Sequence, residues 1–173
     1  MATNLKSLAK DTAIYGVSSI FGRFLNYLLV PLYTATLSAA SGGYGVITNL
    51  YAWTALLLVI LTYGMETTFF RFANKADEDA EKVYSTTLVS VGATALMFVA
   101  AVVGFLPGIS SALGYADHQS WVVSMAIIVA LDAFQAIPFA YLRYKKQPIK
   151  FAGLKLAFIF INILLNLLYF LIL

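Results

Sequence analysis

Cysteine is absent from this chain of 173 residues, which excludes a disulfide, a thiolate metal site and a cysteine nucleophile. Charge is also scarce, since 11% of the residues are charged and 61% are hydrophobic. A soluble domain has about a quarter of its residues charged, so this chain has too little polar surface to cover a water-soluble globule. The HExxH, Walker and GxSxG motifs are missing as well. We therefore expect no enzyme and no bound metal or cofactor, with the single His118 a solvated loop residue.

Lys and Arg are missing from alternate connections between five long apolar runs. The connection near residues 38–43 has no charge, and that near residues 107–119 has only Asp117 and His118. Because cytoplasmic loops attract Lys and Arg, the pattern predicts an integral membrane protein with a cytoplasmic N-terminus. The net charge of +3 then comes from Lys and Arg residues at the membrane edges, and it indicates no nucleic-acid partner. The N-terminus and the other two connections hold nine of the eleven Lys and Arg residues: Lys6, Lys10, Arg71, Lys75, Lys82, Arg143, Lys145, Lys146 and Lys150.

The apolar runs are long enough to cross a membrane as helices. A crossing needs about 20 apolar residues, because a helix rises about 1.5 Å per residue through about 30 Å of hydrocarbon. Gly42-Gly43 and Pro107-Gly108 supply turns on the outer side. The last run is still apolar at Leu173, which predicts the first part of something larger. The fold class is therefore all-α integral membrane, with five transmembrane helices at 12–37, 44–65, 84–106, 121–142 and 151–173.

Two charged residues fall near the predicted middle of the membrane. Arg23 lies about 18 Å from Asp11, and Asp132 lies about 16–17 Å from Arg143, at helical rise. Each such charge costs about 2.5–3.5 kcal/mol on insertion scales, so both must face the protein interior or a watery cavity. One interpretation is an ion pair between the first and fourth spans. The other is that Arg23 binds an anionic group, for which its planar fork suits phosphate oxygens, while Asp132 accepts a proton or cation.

Further polar residues and two prolines mark the predicted spans. Asn26 shares a helix face with Arg23 and joins it as a candidate binding residue. Glu66 and Arg71 at the inner end of the second span are either a surface salt bridge or part of a cytoplasmic gate. Pro31 and Pro138 lie inside the first and fourth spans and predict packing kinks or hinges. The other intramembrane amides are expected to bond between helices: Asn49, Asn162 and Asn166.

Three stretches together resemble the N-terminal region of bacterial polysaccharide flippases, which belong to the multidrug/oligosaccharidyl-lipid/polysaccharide exporter superfamily. The order and spacing fit over essentially the whole chain, and the second stretch is the most specific. The stretches are LAKDTAIYG at 8–16 continuing to LLVPLYT at 28–34, YGMETTFFRF at 63–72, and PFAYLR at 138–143 with KQP at 146–148 and Phe151 following.

The resemblance implies one lobe of a 12–14-helix carrier in the bacterial inner membrane. Such a carrier moves a polyprenyl-pyrophosphate-linked oligosaccharide across the membrane by alternating access for cell-surface polysaccharide assembly. It implies that Arg23 meets the pyrophosphate and that Glu66 and Arg71 line a gate. The partners implied are membrane lipids, the lipid-linked oligosaccharide, and the remaining helices or glycan assembly proteins. The alternatives are a cation-coupled drug or small-molecule exporter of the same superfamily and a non-transporting membrane scaffold subunit.

Overall fold

The computed structural model describes residues 5–27, 29–36 and 43–172. These residues form helices, and no strand occurs among them, which confirms the all-α class. Between α6 and α7 lies one short 3₁₀ turn, Ala116–His118. The helices are α1 Leu5–Tyr27, α2 Val30–Thr36, α3 Gly43–Thr62, α4 Met65–Ala73, α5 Ala80–Gly104, α6 Leu106–Ala112, α7 Gln119–Tyr144 and α8 Pro148–Ile172.

Four helical runs among the described residues are long and apolar enough to cross a membrane: Gly43–Ala73, Ala80–Gly104, Ala116–Tyr144 and Pro148–Leu168. They match the predicted second to fifth spans, so the chain is a membrane-embedded helical protein. The predicted first span corresponds to α1 and α2, in which Thr12–Phe21 is a shorter apolar helix. A fifth crossing therefore stays a prediction.

The two prolines predicted to kink their spans have different outcomes. Pro31 lies in the first turn of α2, which begins at Val30 after α1 has ended at Tyr27. A proline is tolerated in a first turn because the N–H groups there have no intrahelical acceptor. Pro138 instead lies inside α7, which continues to Tyr144. The first proline therefore marks the start of a new helix, while the second is accommodated within one.

Three predicted boundaries differ from the observed ones for local reasons. The second predicted span bends near its end, where Tyr63 and Gly64 take positive φ angles of 29° and 72° between α3 and α4. The third begins at Ala80 rather than 84, because the Asp79 carboxylate caps α5 by accepting the Glu81 N–H at 2.9 Å.

Pro107-Gly108 forms no turn and instead lies in α6, with the proline in its first turn. Gly42 lies outside the described residues, and Gly43 begins α3.

The chain divides into two compact units, and the central unit is Thr48–Tyr141. Its core is built by α3, α5 and α7, and the largest contribution comes from one stripe of α7. A smaller cluster of Val102, Val122 and Ala126 lies beside α6. The main cluster consists of Leu61, Val91, Ala95, Met125, Val129, Ala133 and Ile137.

The terminal unit comprises Met1–Ile47 and Leu142–Leu173. In it α1 packs along α8. Tyr15 meets Phe151 edge-on with ring centroids 5.0 Å apart. Further along both segments, the Tyr33 hydroxyl donates a 2.7 Å hydrogen bond to Asn166 Oδ1. The first apolar segment, from α1 through α2, thus follows α8 over about 22 Å of helical rise.

Candidate functional site

Arg23 and Asn26 lie on the backbone of α1, and their side chains fall outside the part of the structure that is described. The neighbouring contacts still define where their helix runs. Arg23 follows Tyr15 by eight residues, or about 12 Å of helical rise, and so falls between the Tyr15–Phe151 and Tyr33–Asn166 contacts. Whether the guanidinium reaches a cavity stays a prediction.

A shallow apolar groove lies between α1 and α8 within the terminal unit. Small side chains on both helices line it, including Ala13, Ser18 and Ala152. Ser18 is buried, and its hydroxyl donates to the Tyr15 carbonyl at 3.1 Å, so it presents no unsatisfied donor to the groove. Phe21, two residues before Arg23, also lines the groove. An alkyl chain matches the apolar lining of this groove.

Asp132 lies on α7 in the central unit and is half-buried. Its Oδ1 accepts a 2.5 Å hydrogen bond from Nε2 of Gln135, one helical turn away. Gln135 was not predicted as a site residue, although the spacing of three residues places both side chains on one helix face. Arg23 belongs to the terminal unit and Asp132 to the central unit, so the predicted ion pair between them also stays a prediction.

Glu66 and Arg71 occupy opposite ends of the nine-residue helix α4. Glu66 is half-buried in the first turn, and Arg71 is exposed in the last turn. Each charge therefore opposes the helix dipole at its own end, which is favourable by about 0.3–1 kcal/mol. A structural role for both residues follows from this placement, and the predicted gate role stays a prediction.

An aromatic cluster that was not predicted from the sequence joins α4 to two longer helices. Phe69 is fully buried between Tyr84 of α5 and Tyr141 of α7, at centroid distances of 6.3 and 6.2 Å. The two tyrosine rings lie 4.3 Å apart. These contacts join Tyr84 and Tyr141 across two helices. The cluster fixes α4, and with it Glu66 and Arg71, against α5 and α7.

Two cations converge on one aromatic ring in the terminal unit. The guanidinium carbon of Arg143 lies 5.9 Å from the ring centroid of Phe151, and Nζ of Lys155 lies 5.8 Å from it. Both distances fall within the range of cation–π attraction. Phe151 lies one turn before Lys155 in α8, so the Lys155 side chain extends towards the start of the helix. That is the direction in which the ammonium must extend to reach the predicted inner membrane surface.

Of the amides expected to bond between helices, Asn166 bonds to another helix, and Asn49 bonds to a tyrosine in the connection after α6. Asn166 accepts from Tyr33 within the terminal unit, and Asn49 Oδ1 accepts from the Tyr115 hydroxyl at 3.0 Å within the central unit. At the same end of the central unit, the exposed His118 stacks on Trp121 with centroids 4.0 Å apart. Within residues 5–27, 29–36 and 43–172, no three His, Asp or Glu side chains converge as a metal site would require.

No family model, curated protein or solved structure matches this chain. The resemblance to polysaccharide flippases therefore stays a prediction that rests on the three sequence stretches. Each candidate is accordingly described within its own unit: the apolar groove lies between α1 and α8 in the terminal unit, and the carboxylate hydrogen-bonded to Gln135 lies on α7 in the central unit.

Proposed function

We propose that this protein takes part in moving a polyprenyl-diphosphate-linked oligosaccharide across the bacterial inner membrane. The observation that carries the proposal is the course of α1 and α2 alongside α8. Arg23 falls between the two contacts that define this course, Tyr15–Phe151 and Tyr33–Asn166. A guanidinium at that level is far from either end of α8, and a charge deep in a membrane is usually functional because it is costly to place there.

The groove between α1 and α8 supports a division of the substrate between two environments. The polyprenyl chain is apolar and suits a lipid-facing groove lined by side chains such as Val17 and Leu156. The diphosphate needs cationic donors, and Arg23 lies two residues after Phe21, which lines the groove. Bidentate bonds from a guanidinium to phosphate oxygens give both charge and geometric fit. The sugar then occupies an aqueous path while the tail remains in lipid.

The proposed topology has five crossings and a cytoplasmic N-terminus. Odd-numbered crossings run in one direction, so the first and fifth must be parallel. The first apolar segment, α1 with α2, follows α8 from Phe151 to Asn166 in the same chain direction, which supports that requirement. The positive residues near both helix starts, Lys10 and Lys150, supply the cytoplasmic bias. In the proposed carrier the chain forms part of one lobe, and Glu66 with Arg71 line its inner gate.

The proposal is tested by replacing Arg23 in protein reconstituted in proteoliposomes together with any partner needed for activity. A fluorescent polyprenyl-diphosphate glycan reports movement between leaflets when a membrane-impermeant quencher is added. Arg23→Ala should reduce flipping at least tenfold, and Arg23→Lys should recover part of the rate because charge returns without the planar fork. Lys10→Ala, an exposed cation on the same helix, should keep the wild-type rate. Wild-type flipping by Arg23→Ala removes the residue from the mechanism.

The half-buried Asp132 favours a second candidate, a cation-coupled exporter. A carboxylate held by Gln135 inside an apolar helix suits proton or cation exchange during transport. Asp132→Asn then abolishes cation-driven export of a small cationic dye, while Arg23→Ala leaves it intact. For a scaffold subunit, neither change affects transport, and a cysteine placed at position 23 of this cysteine-free chain resists water-soluble thiol reagents.

A further inference from the structure

The connection between α7 and α8 presents exposed lysines at one end of the terminal unit. Lys145 and Lys146 follow the end of α7, and Lys150 lies in the first turn of α8. Ile149, between them, is 79% exposed. We propose that this lysine turn, residues 145–150, is a contact site for the phosphate headgroups of anionic membrane lipids. The inference goes beyond the proposed function, because it requires neither the glycan nor Arg23.

The backbone holds the lysine turn in one defined shape. The Lys146 N–H donates to the Arg143 carbonyl at 3.1 Å, and the Gln147 N–H donates to the Leu142 carbonyl at 3.0 Å. These two bonds form a Schellman motif, in which the residue after the helix cap takes a left-handed conformation. Lys146 takes it with φ of 52°, although glycine adopts that conformation at lower cost. The lysines are therefore attached to a fixed backbone rather than a flexible loop.

The chain segment that contains the lysine turn has charges of one sign. From Leu142 to Leu173 the sequence has five Lys and Arg residues and no Asp or Glu. The connection between α4 and α5, also predicted to be cytoplasmic, differs, because Lys75 and Lys82 alternate there with four acidic residues: Asp77, Glu78, Asp79 and Glu81. Each lysine near an anionic leaflet is attracted by the negative surface potential. The lysine turn therefore attracts anionic headgroups, while the acidic connection repels them.

The exposed isoleucine decides between a lipid and other anions. Free phosphate or an acidic peptide satisfies lysines but makes no use of Ile149, which stands 79% exposed beside Lys150. At the end of a membrane helix pair, an apolar side chain flanked by lysines matches the boundary between headgroups and acyl chains. Arg143 and Lys155 at the Phe151 ring add positive charge on the same unit. An anionic phospholipid supplies both kinds of contact.

The full chain carrying Gln147→Cys and a donor dye, reconstituted in equal parts phosphatidylglycerol and phosphatidylcholine, tests the proposal. Energy transfer to acceptor-labelled phosphatidylglycerol, compared with acceptor-labelled phosphatidylcholine, measures local lipid enrichment. The wild-type turn should enrich phosphatidylglycerol at least about fivefold, and added salt should lower that ratio. K145Q/K146Q/K150Q should remove the enrichment. The matched control K75Q/K82Q, with the dye on Ala76→Cys, should show no enrichment before or after substitution.

Three outcomes would overturn the proposal. Equal energy transfer to phosphatidylglycerol and phosphatidylcholine around the unsubstituted turn would show that the lysines bind no anionic lipid and are available to another anion, such as an acidic protein segment. Unchanged enrichment in the triple glutamine variant removes the lysines from the contact. Inorganic phosphate that displaces phosphatidylglycerol better than chloride at equal ionic strength assigns the turn to free phosphate. The salt series on unsubstituted protein applies even if a variant fails to fold, and flipping assays are not needed, so the proposal stands or fails apart from the transport function.

Discussion

The two units of this protein differ in charge and in packing. The terminal unit has eight Lys and Arg residues against one acidic residue, Asp11, while the central unit has three against seven Asp and Glu. The overall charge of +3 therefore conceals a split of +7 and −4. The packing differs as well, because the central unit encloses two buried clusters and the terminal unit is joined mainly along α1 and α8. Net charge and mean hydropathy of the whole chain report neither difference.

Helices α7 and α8 show why hydropathy does not predict packing. Their most apolar segments are nearly equal in hydropathy, yet 33% of the first is buried and 6% of the second. The buried stripe of α7 contains alanine at every seventh position, at Ala126, Ala133 and Ala140. Small residues in such a stripe let membrane helices approach closely. Helix α8 instead has exposed Phe, Ile and Leu side chains around most of its surface, as a lipid-facing helix does.

The largest difference between the units is expected from removing an aromatic ring. Phe69→Ala in the central unit should lower the free energy of unfolding by about 3 kcal/mol, because the fully buried ring leaves a cavity beside Tyr84 and Tyr141. Phe160→Ala on α8 removes a ring that is 67% exposed, and it should change stability by less than about 0.5 kcal/mol. Unfolding in mixed micelles measures both, and equal losses would contradict the assigned core.

Glycine substitutions sharpen the contrast through helix spacing. At Gly92 of α5, an added Cβ would lie 3.3 Å from Cε2 of Phe134, while at Gly153 of α8 it would meet nothing within 4 Å. Gly92→Leu should therefore destabilise the protein by about 2 kcal/mol through overpacking. Gly153→Leu should be neutral or stabilising by up to about 1 kcal/mol, because glycine is a poor helix former. Thermal unfolding in detergent distinguishes them, and tolerance of leucine at position 92 would argue against close packing there.

One Schellman motif in each unit gives a smaller, opposite pair of effects. Gly114 takes φ of 80° after α6, where the Tyr115 N–H donates to the Ser110 carbonyl at 2.7 Å, and Lys146 takes the equivalent position after α7. Gly114→Ala should destabilise by about 1 kcal/mol, and Lys146→Gly should stabilise by about 0.5 kcal/mol. Measurement in an uncharged detergent keeps lipid binding out of the result. Loss of stability in Lys146→Gly would show that the lysine side chain stabilises the protein by more than the left-handed backbone conformation costs.

The smallest effects are expected from the two tyrosine–asparagine hydrogen bonds. Tyr33→Phe breaks a 2.7 Å bond to Asn166 at a buried tyrosine, and it should cost about 0.6 kcal/mol, the average for bonds between membrane helices. Tyr115→Phe breaks the 3.0 Å bond to Asn49 at an exposed end, where water replaces the lost partner, so its cost should be at most about 0.3 kcal/mol. Denaturant titration of both variants measures the two losses of stability, and a larger loss in Tyr115→Phe than in Tyr33→Phe would contradict the prediction.

Much of the fold follows from residue order, and the boundaries that sequence reasoning missed have local causes. Predicted spans 121–142 and 151–173 became α7 and α8, which begin two and three residues earlier. At Asp79, a cap extends α5 by four residues beyond its predicted start. Pro31 and Pro138 carry the same local signal, but one begins a helix and the other lies within one. Residues beside Pro138, Ile137 and Ala140, are buried in the central unit, and such packing holds a helix together through a proline.

The candidate site was predictable only in part. A charge within an apolar run identifies Arg23 and Asp132 because its insertion cost depends on sequence alone. Gln135 bonded to Asp132 and the ring of Phe151 beside Arg143 and Lys155 depend on which side chains meet across turns and between helices. Of these, only the spacing of Gln135 from Asp132 gave a signal in the sequence.

The sequence by itself determined that this is a helical membrane protein and where most of its helices lie, because the cost of placing polar groups in hydrocarbon acts on each residue separately. Tertiary structure decided which apolar helix became core and which stayed exposed, which proline interrupted its helix, and which cations gathered at Phe151. Those outcomes depend on shape and contact between distant segments, and neither hydropathy nor charge order contains that information.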